Sequence, residues 1–269
     1  MQSFEMQLGG RTLTIENGKM AKQANGAVYV RYGDTAVLVA ATASDAPREG
    51  VDFFPLTVDY MEKMYAVGRI PGGYLKREGK ASDKGTLTAR MIDRPIRPGF
   101  ADGFKQEVHV VATTFVVDGE NQPDCICVGG ASAALMLASA PFEGPVACVK
   151  IARAPETHEF IVNPTYAEQE ASDLELTIAG GPDVFNVYVR WPNSASEYST
   201  WTFSGSFDGR AVMHYSDSTM KTVTVDEKGN ETSLLKYNNG TGYLQMTDTG
   251  LTWVEDGRGE SGAASFVKS

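Results

Sequence analysis

Alternating apolar and polar positions predict strands in the first half of the chain. Residues 11–17 and 26–43 alternate before running continuously apolar as AVLVAATA, with a turn sequence at 32–34. That pattern is typical of an edge hairpin that leads into a buried strand. Residues 51–60 continue the same sheet, and residues 107–118 (EVHVVATTFVVD) predict another long strand that ends in a glycine turn.

The segment 125–140 is the most apolar of the chain, and most of its residues are small. It is too short to span a bilayer, so we expect a helix that is buried against the sheet. Strands at about 145–152, 158–163 and 173–179 follow this helix. The order of these elements predicts an α+β core in which a mixed sheet packs against helices.

A different pattern begins near Gly181. Seven short alternating runs follow, and glycine and asparagine turn sequences separate them at 228–230 and 238–240. This pattern predicts an all-β antiparallel meander of about seven strands, arranged as a small barrel or sandwich. The chain thus reads as two unrelated pieces joined near Gly181. We expect a core domain over 1–181, an all-β domain over 182–256 and a flexible tail over 257–269.

Composition places the chain among cytoplasmic globular proteins. Of its 269 residues 42% are hydrophobic and 22% are charged, which is ordinary for a soluble domain. The N-terminus lacks a basic segment followed by an apolar run, so we expect no signal peptide and no membrane partner. The three cysteines (Cys125, Cys127 and Cys148) lack zinc-site spacing. We interpret them as core residues of a reduced protein.

One stretch carries a charge opposite to that of the whole chain. Between Arg69 and Arg97 eight basic residues face three acids, whereas the formal net charge of the chain is -10. Such a cationic island indicates a local binding feature. Ser82 is positioned to cap a helix over 84–93 that ends before Pro95. Arg90 and Arg94 would share one face of this helix, with Arg97 beyond the proline; solvated surface charge is the alternative interpretation.

The loop before this helix combines an aromatic residue with cations. Tyr74 and Leu75 stand beside Lys76 and Arg77, and glycines at 72, 73 and 79 let a ligand approach the backbone. A stacking surface next to phosphate-pairing charge suits single-stranded nucleic acid. The residues predicted to bind RNA are Tyr74, Leu75, Lys76, Arg77, Arg90, Arg94 and Arg97.

The chain resembles bacterial polynucleotide phosphorylase, of the ribonuclease PH superfamily, in its first core domain. The resemblance rests on IPGGYLKREGKASDKGTLTARMIDRPIRPGF at 70–100 and on EVHVVATTFVVDGENQPD at 107–124. It begins near Gly10 and extends through GGASAALMLASAPFEGPV at 129–146 and NPTYAEQEASDLELTIAG at 163–180. It implies a two-layer sandwich of the ribosomal-protein-S5 domain 2 type. The loop at 74–77 matches the family's RNA-gripping loop, with Leu75 in place of an aromatic residue.

The resemblance also implies an activity. The family shortens single-stranded RNA from its 3′ end, with inorganic phosphate as the nucleophile and magnesium as the metal, and releases nucleoside diphosphates. Its phosphate loop and metal-binding acids belong to a second core that this chain lacks. We therefore expect RNA binding without efficient catalysis, and no DNA partner. Family chains with two cores form ring trimers, so a single-core chain is expected to form a ring oligomer such as a hexamer, alone or with active cores from other chains.

Local chemistry agrees with an empty catalytic site. The turn at 119–124 offers a proline and two acids where a phosphate loop would present backbone amides. Asp173 and Glu175 match the position of the family's catalytic acids and would face one side of a strand, as a weak magnesium pair or as a polar strand face. The sequence identifies no catalytic residue, and the position of His109 within an alternating strand favours a structural or solvent-facing role.

A second hypothesis assigns the function to the all-β domain. All three tryptophans lie beyond Gly181, and with the tyrosines there they would suit a carbohydrate or peptide surface. The N-terminal part would then be a structural remnant. A set of short strands also needs aromatic residues for its own core, so both interpretations stay open.

Overall fold

The computed structural model describes residues 1–181, 184–208, 212–247, 250–256 and 263–267. The chain divides into two compact units, Met1–Cys148 and Val149–Ser269. Among the described residues no helix has both the length and the apolar character needed to cross a membrane.

The first unit contains a six-stranded mixed sheet with the strand order β1-β2-β3-β4-β6-β5. Neighbouring strands are antiparallel except β5, which runs parallel to β6. The strands are β1 (Gln2–Leu8), β2 (Arg11–Asn17), β3 (Gly26–Tyr32), β4 (Thr35–Pro47), β5 (Leu56–Met61) and β6 (Gln106–Val116). The helices are α1 (Asp83–Ile96) and α2 (Asp124–Leu137), with single 3₁₀ turns at Met64–Val67 and Arg97–Gly99. The predicted mixed sheet and its helices are confirmed.

Helix α2 covers one face of this sheet at close range. The helix is almost entirely buried because small residues let it approach β3 and β4. A Cβ built on Gly130 would lie 2.8 Å from Val39 Cγ2 and 3.0 Å from Val30 Cγ2. The alternation seen in the sequence places the valines of β3, β4 and β6 on this face, where they form the core of the unit.

Two boundaries in the first unit differ from the sequence prediction. Strand β5 begins only at Leu56, because Pro55 has no amide proton for pairing and Phe54 packs against Phe100 instead. Helix α1 was expected to end before Pro95 but continues to Ile96. Ile92 and Ile96 are both fully buried, and their burial holds the last turn in helical form despite the proline.

The second unit is dominated by a nine-stranded sheet with the order β15-β14-β13-β12-β11-β10-β9-β7-β8. Successive strands from β9 to β15 pair as antiparallel neighbours, which confirms the predicted meander. The elements are β7 (Ala147–Arg153), β8 (Phe160–Val162), α3 (Tyr166–Ala171), β9 (Glu175–Gly180), β10 (Phe185–Ser194), β11 (Glu197–Phe207), β12 (Val212–Val225), β13 (Glu231–Thr247), β14 (Gly250–Glu255) and β15 (Ala263–Val267).

Strand connectivity here departs from the sequence interpretation. Strands β7, β8 and β9, which the sequence assigns to the N-terminal core, pair within the second sheet. The expected domain boundary near Gly181 falls between β9 and β10, where the Gly181 amide donates to the Val184 carbonyl at 2.9 Å. The sequence did not indicate this pairing, because pairing between distant segments has no local signature. The domain boundary at 181 stays a prediction.

The long strands β12 and β13 also differ from the predicted run of short strands. Strands β12 and β13 each contain two of the short alternating runs that the sequence showed. The register between the two strands shifts near Ser218 and Met220. The turn expected at 238–240 is a bulge instead, with Asn239 at a positive φ of 56°. Within the predicted flexible tail, residues 263–267 form β15 against β14, and residues 257–262 and 268–269 lie outside the described residues.

Candidate nucleic-acid interface

The basic loop starts from a fixed point on the first sheet. The 3₁₀ turn at Met64–Val67 ends at Gly68, whose φ of 69° is left-handed. Ala66 is buried, and its carbonyl accepts a hydrogen bond of 2.9 Å from the Val117 amide. The loop therefore leaves the sheet beside the end of β6.

Nearby acids anchor the loop. Ser82 caps α1 as predicted: its Oγ accepts from the Gly85 amide at 2.9 Å and donates to Glu62 Oε2 at 2.6 Å. Glu78 Oε1 accepts from the Met64 amide at 3.0 Å, which ties the middle of the loop back to the 3₁₀ turn. Neither Glu62 nor Glu78 forms a salt bridge with Lys76 or Arg77 among the described residues.

The tip of the loop is fully presented to solvent. The Tyr74 side chain is 98% exposed and Leu75 is 69% exposed, values that are unusual for large apolar groups. Lys76 adopts a left-handed φ of 49° and its amide donates to the Gly73 carbonyl at 3.0 Å, so the tip is a closed turn. Lys76 and Arg77 are exposed, and neither has a salt bridge in the described part of the chain.

Helix α1 follows this loop in the chain and carries further exposed cations. Leu87, Arg90 and Arg94 follow at spacings of three and four residues, lie on one helical face and are exposed. Within the described ranges neither Arg90 nor Arg94 forms a salt bridge. The arrangement suits a run of phosphates, because two guanidinium groups remain available on the same side.

Arg97 differs from the other two arginines. Its Nε and Nη2 donate to the two carboxylate oxygens of Asp93 at 3.0 and 2.6 Å, and Nη2 also donates to the Leu56 carbonyl at 3.2 Å. Its guanidinium carbon lies 5.8 Å from the centre of the Phe54 ring. The side chain thus joins α1 to β5, and the i, i+4 spacing from Asp93 was the sequence signal for this pairing.

Sequence reasoning missed several apolar residues that flank the loop. Tyr65, Val67 and Ile70 are exposed by 53, 51 and 76%. The Tyr65 ring packs edge-on against Phe115 at 6.2 Å, so its position is fixed by the sheet. These residues widen the apolar part of the surface beside the cations. The apolar residues on both sides of Gly68 are the sequence feature from which this part of the surface could have been predicted.

Hydrogen bonds to Asp118 hold the turn after β6 in its conformation. Asp118 Oδ1 accepts from the amides of Glu120 and Asn121 at 2.8 and 2.7 Å, and Oδ2 accepts from the Asn121 side chain at 2.6 Å. The Asn121 carboxamide oxygen in turn accepts from Arg11 Nη1 at 2.7 Å. The amides that a phosphate loop would present are therefore already hydrogen-bonded.

This turn gives a prediction about stability and pH. Burial disfavours the charged form of Asp118, but the hydrogen bonds from Asn121 and Glu120 outweigh it and lower the pKa to about 2 from 3.8. Ionised Asp118 therefore stabilises the fold above its ordinary pKa, and this stabilisation is lost as the pH falls from about 4 to about 2. Asp118→Asn is expected to lower the free energy of unfolding at neutral pH by about 1 kcal/mol, a value discounted for partial exposure.

Chemical denaturation across pH measures this effect. The variant should lose less stability than the parent between about pH 4 and pH 2. Glu120→Gln is the matched control, since it removes an exposed acid from the same turn. Equal pH profiles for Asp118→Asn and the parent would contradict the role of this carboxylate.

The remaining titratable candidates have partners in the fold. His109 Nε2 lies 2.8 Å from Asp59 Oδ2 between the parallel strands β5 and β6, in agreement with a structural role. Asp173 lies just before β9, and its two carboxylate oxygens accept from Arg153 Nε and Nη2 at 2.8 and 2.5 Å. Glu175 pairs in register with Arg190.

This environment does not fit a resident magnesium ion. A magnesium site needs several oxygen ligands, whereas the Asp173 carboxylate is held by a guanidinium and Glu175 faces a second arginine in register. Among the described residues no group of three or more acids, histidines or cysteines could hold a metal. The Asp173 carboxylate is better explained as the partner of Arg153 in an ion pair just before β9.

Aromatic residues of the second unit serve its core. Trp253 is 6% exposed, its ring packs edge-on against Trp201 at 5.2 Å, and its Nε1 donates to the Tyr215 hydroxyl at 2.8 Å. Tyr215 stacks on Phe203 at 4.1 Å. Trp253, Tyr215 and Phe203 are therefore used in the packing of this core.

The first unit is an α+β domain in which a mixed sheet packs against helices, and it carries an exposed cationic loop. A likeness to the crystal structure of rice (Oryza sativa) Rrp46, with a TM-score of 0.50 and 15% identity, covers 64% of this chain and 76% of that chain and supports the fold. Residues 9–141 match the model of the 3′ exoribonuclease family, domain 1. The N-terminal part of the chain is therefore a domain of this family.

Similar chains share one name. Polyribonucleotide nucleotidyltransferase of Heliobacterium modesticaldum is 52% identical over 197 residues, which is 73% of this chain and 28% of that protein. The proteins of the same name from Syntrophomonas wolfei and Bacillus cytotoxicus are each 54% identical, over 73% and 69% of this chain. The chain thus spans between a quarter and a third of the length of these relatives. The recognised resemblance is confirmed for this part.

Proposed function

We propose that the chain is an RNA-gripping core of the polynucleotide phosphorylase type that works in cytoplasmic RNA turnover. The loop at 74–77 and the arginine face of α1 hold single-stranded RNA, and the chain by itself does not carry out efficient phosphorolysis. One observation carries the proposal: Tyr74 is 98% exposed in the same loop as the exposed cations Lys76 and Arg77, and the helix that follows this loop presents Arg90 and Arg94 to solvent. None of these four cations has a salt bridge within the described ranges.

The charge distribution supports nucleic acid as the ligand. The chain is acidic overall, so its cations gain nothing from bulk attraction and act through their local arrangement. Exposed Tyr74 provides a face for base stacking, and the flanking guanidinium groups match phosphate oxygens. Single strands satisfy both demands at once, because their bases are open to stacking.

The absence of efficient phosphorolysis rests on two features of the site. In the turn at 119–124 the Glu120 and Asn121 amides donate to Asp118, and Asp173 is held by Arg153 while Glu175 lies in register with Arg190. Inorganic phosphate as a co-substrate and magnesium would then bind at a separate, active core. A ring of cores, as a homohexamer or as a mixed ring, follows from the family resemblance.

Equilibrium binding of a fluorescent oligoadenylate to the full chain tests the proposed function. We expect binding that weakens steeply as salt rises, because phosphate neutralisation releases counterions. A DNA duplex of equal length is the comparison, and it should bind more weakly because its bases are not open to stacking. Undetectable RNA binding at low salt, or equal affinity for the duplex, would contradict the proposal.

Leu75 offers a gain-of-function prediction. Its side chain is 69% exposed beside Tyr74, yet an aliphatic group stacks poorly on bases. Leu75→Phe adds an aromatic face without altering charge, and we expect it to tighten binding of oligoadenylate by about fivefold, at the low end of the stacking range. Leu75→Ile is the matched control. Equal affinities for the two variants would contradict a stacking role at this position.

A further inference from the structure

Two buried cysteine side chains lie next to each other in the first unit. Cys125 stands in the first turn of α2, and its sulphur is 3.4 Å from that of Cys148. The residues are 5% and 9% exposed, and both are thiols. The contact joins positions 23 residues apart, at the beginning of the helix and at the end of the unit.

The third cysteine has a different environment. Cys127 is fully buried, and its thiol donates to the Pro123 carbonyl at 2.9 Å. Burial raises the pKa of the Cys127 thiol well above its ordinary value, and the charge of Asp124 raises it further. Since the thiolate is the reactive form, Cys127 is a poor nucleophile and behaves as a small core residue.

We propose that Cys125 and Cys148 form a reversible disulfide within the folded chain when a peroxide reaches them. The sulphur atoms must close from 3.4 Å to about 2.05 Å, a movement that side-chain rotation and a small backbone shift provide. The bond would tie the first turn of α2 to the end of the unit. It concerns a modification site separate from the RNA surface and does not depend on the proposed function.

The reaction balances with hydrogen peroxide as the oxidant. The thiolate of one cysteine attacks a peroxide oxygen, the oxygen–oxygen bond breaks, and one water leaves after proton transfer to give a sulphenic acid. The second thiolate then attacks the sulphenic sulphur, the carbon-bound sulphur atoms join, and the hydroxyl group leaves as a second water. Two thiols lose two electrons and two protons, and one peroxide is reduced to two water molecules.

The site is selective because of its packing. Both sulphurs are nearly enclosed, so large thiol reagents have poor access while a small peroxide can enter during ordinary fluctuations. Once one sulphur is a sulphenic acid, the neighbouring thiol at 3.4 Å intercepts it before further oxidation. The proximity of a resolving cysteine distinguishes a reversible site from one that proceeds to irreversible acids.

Fragment mapping of the native full chain tests this inference. The protein is treated with hydrogen peroxide, its remaining thiols are blocked under denaturing conditions, and it is cleaved at glutamate. Glu143 is the one glutamate between Cys127 and Cys148, so cleavage there separates Cys148 from the other two cysteines. We expect the two fragments to remain joined, at a mass lower by two hydrogens, and dithiothreitol to separate them.

Variants then identify the partner of Cys148. Cys127→Ser keeps a hydrogen-bond donor for the Pro123 carbonyl and should form the bridge as the parent does. Cys125→Ser should form none. A bridge that persists in Cys125→Ser, a bridge between two chains, or unjoined fragments carrying sulphinic acid would each overturn the proposal, as would a parent protein that stays fully reduced. The parent map alone shows whether the bridge forms if a variant fails to fold.

Discussion

Replacing Arg90 and Arg94 together by alanine is expected to weaken binding of single-stranded RNA by about tenfold at moderate salt. Both side chains are exposed on one face of α1 and have no salt bridge in the described part of the chain. Each phosphate contact contributes about 0.7 to the slope of log affinity against log salt for a single strand, so the slope should fall by about 1.4. Fluorescence anisotropy with oligoadenylate at several salt concentrations measures both quantities.

Arg97→Ala is the matched control for this experiment. It changes the net charge by the same amount as Arg90→Ala, but Arg97 is held by Asp93 and by the Leu56 carbonyl. We expect Arg97→Ala to lower thermal stability while leaving RNA affinity within about twofold of the parent. Equal losses of affinity in the two single variants would show that general charge, and not the surface on α1, attracts the RNA.

Gly26→Ala is expected to destabilise the first unit by about 3 kcal/mol. A Cβ at this position would lie 2.0 Å from the Ala134 carbonyl oxygen and 2.7 Å from the Ala138 amide nitrogen. Both are backbone atoms at the C-terminal end of α2. The added Cβ would fit only if the helix moved away from β3, which would open the core. Thermal and chemical unfolding of the full chain, followed by circular dichroism, measure the loss.

Gly129→Ala provides the control for Gly26→Ala. This glycine lies within α2 itself, and a Cβ there would have no neighbouring atom within 4 Å outside the helix. Alanine should therefore raise stability by up to about 1 kcal/mol through helix propensity. If Gly26→Ala proved as stable as the parent, the close packing of α2 on β3 would be wrong.

Local signals in the sequence predicted much of the first unit. Alternation identified β2, β3, β4 and β6, small apolar residues identified α2, and Ser82 marked the start of α1. Helix α3 was missed although Thr165 and Glu168 form a capping box, with the Glu168 carboxylate 2.7 Å from the Thr165 amide. That helix is short, and its flanking strands dominated the pattern.

The features that the sequence did not predict share a physical origin in contacts between distant segments. The pairing of β7 to β9 with the later strands depends on edges that no local pattern encodes. The two long strands β12 and β13 pass through bulges that look like turns in sequence. At the site, the basic loop with Tyr74 beside Lys76 and Arg77 was evident in the local sequence, whereas the Arg153 partner of Asp173 lies 20 residues away and required the fold.

The central claim is that the chain binds RNA without efficient phosphorolysis. The most direct test is an assay for phosphorolysis of a 5′-labelled oligoadenylate with magnesium and inorganic phosphate, with RNA binding measured on the same preparation. We predict salt-sensitive binding with no phosphate-dependent shortening and no release of nucleoside diphosphate. A parallel preparation of Arg90→Ala/Arg94→Ala identifies contaminating enzyme, whose activity would not change with the variant. Shortening that requires phosphate and falls with the variant would contradict the account and would make this core catalytic.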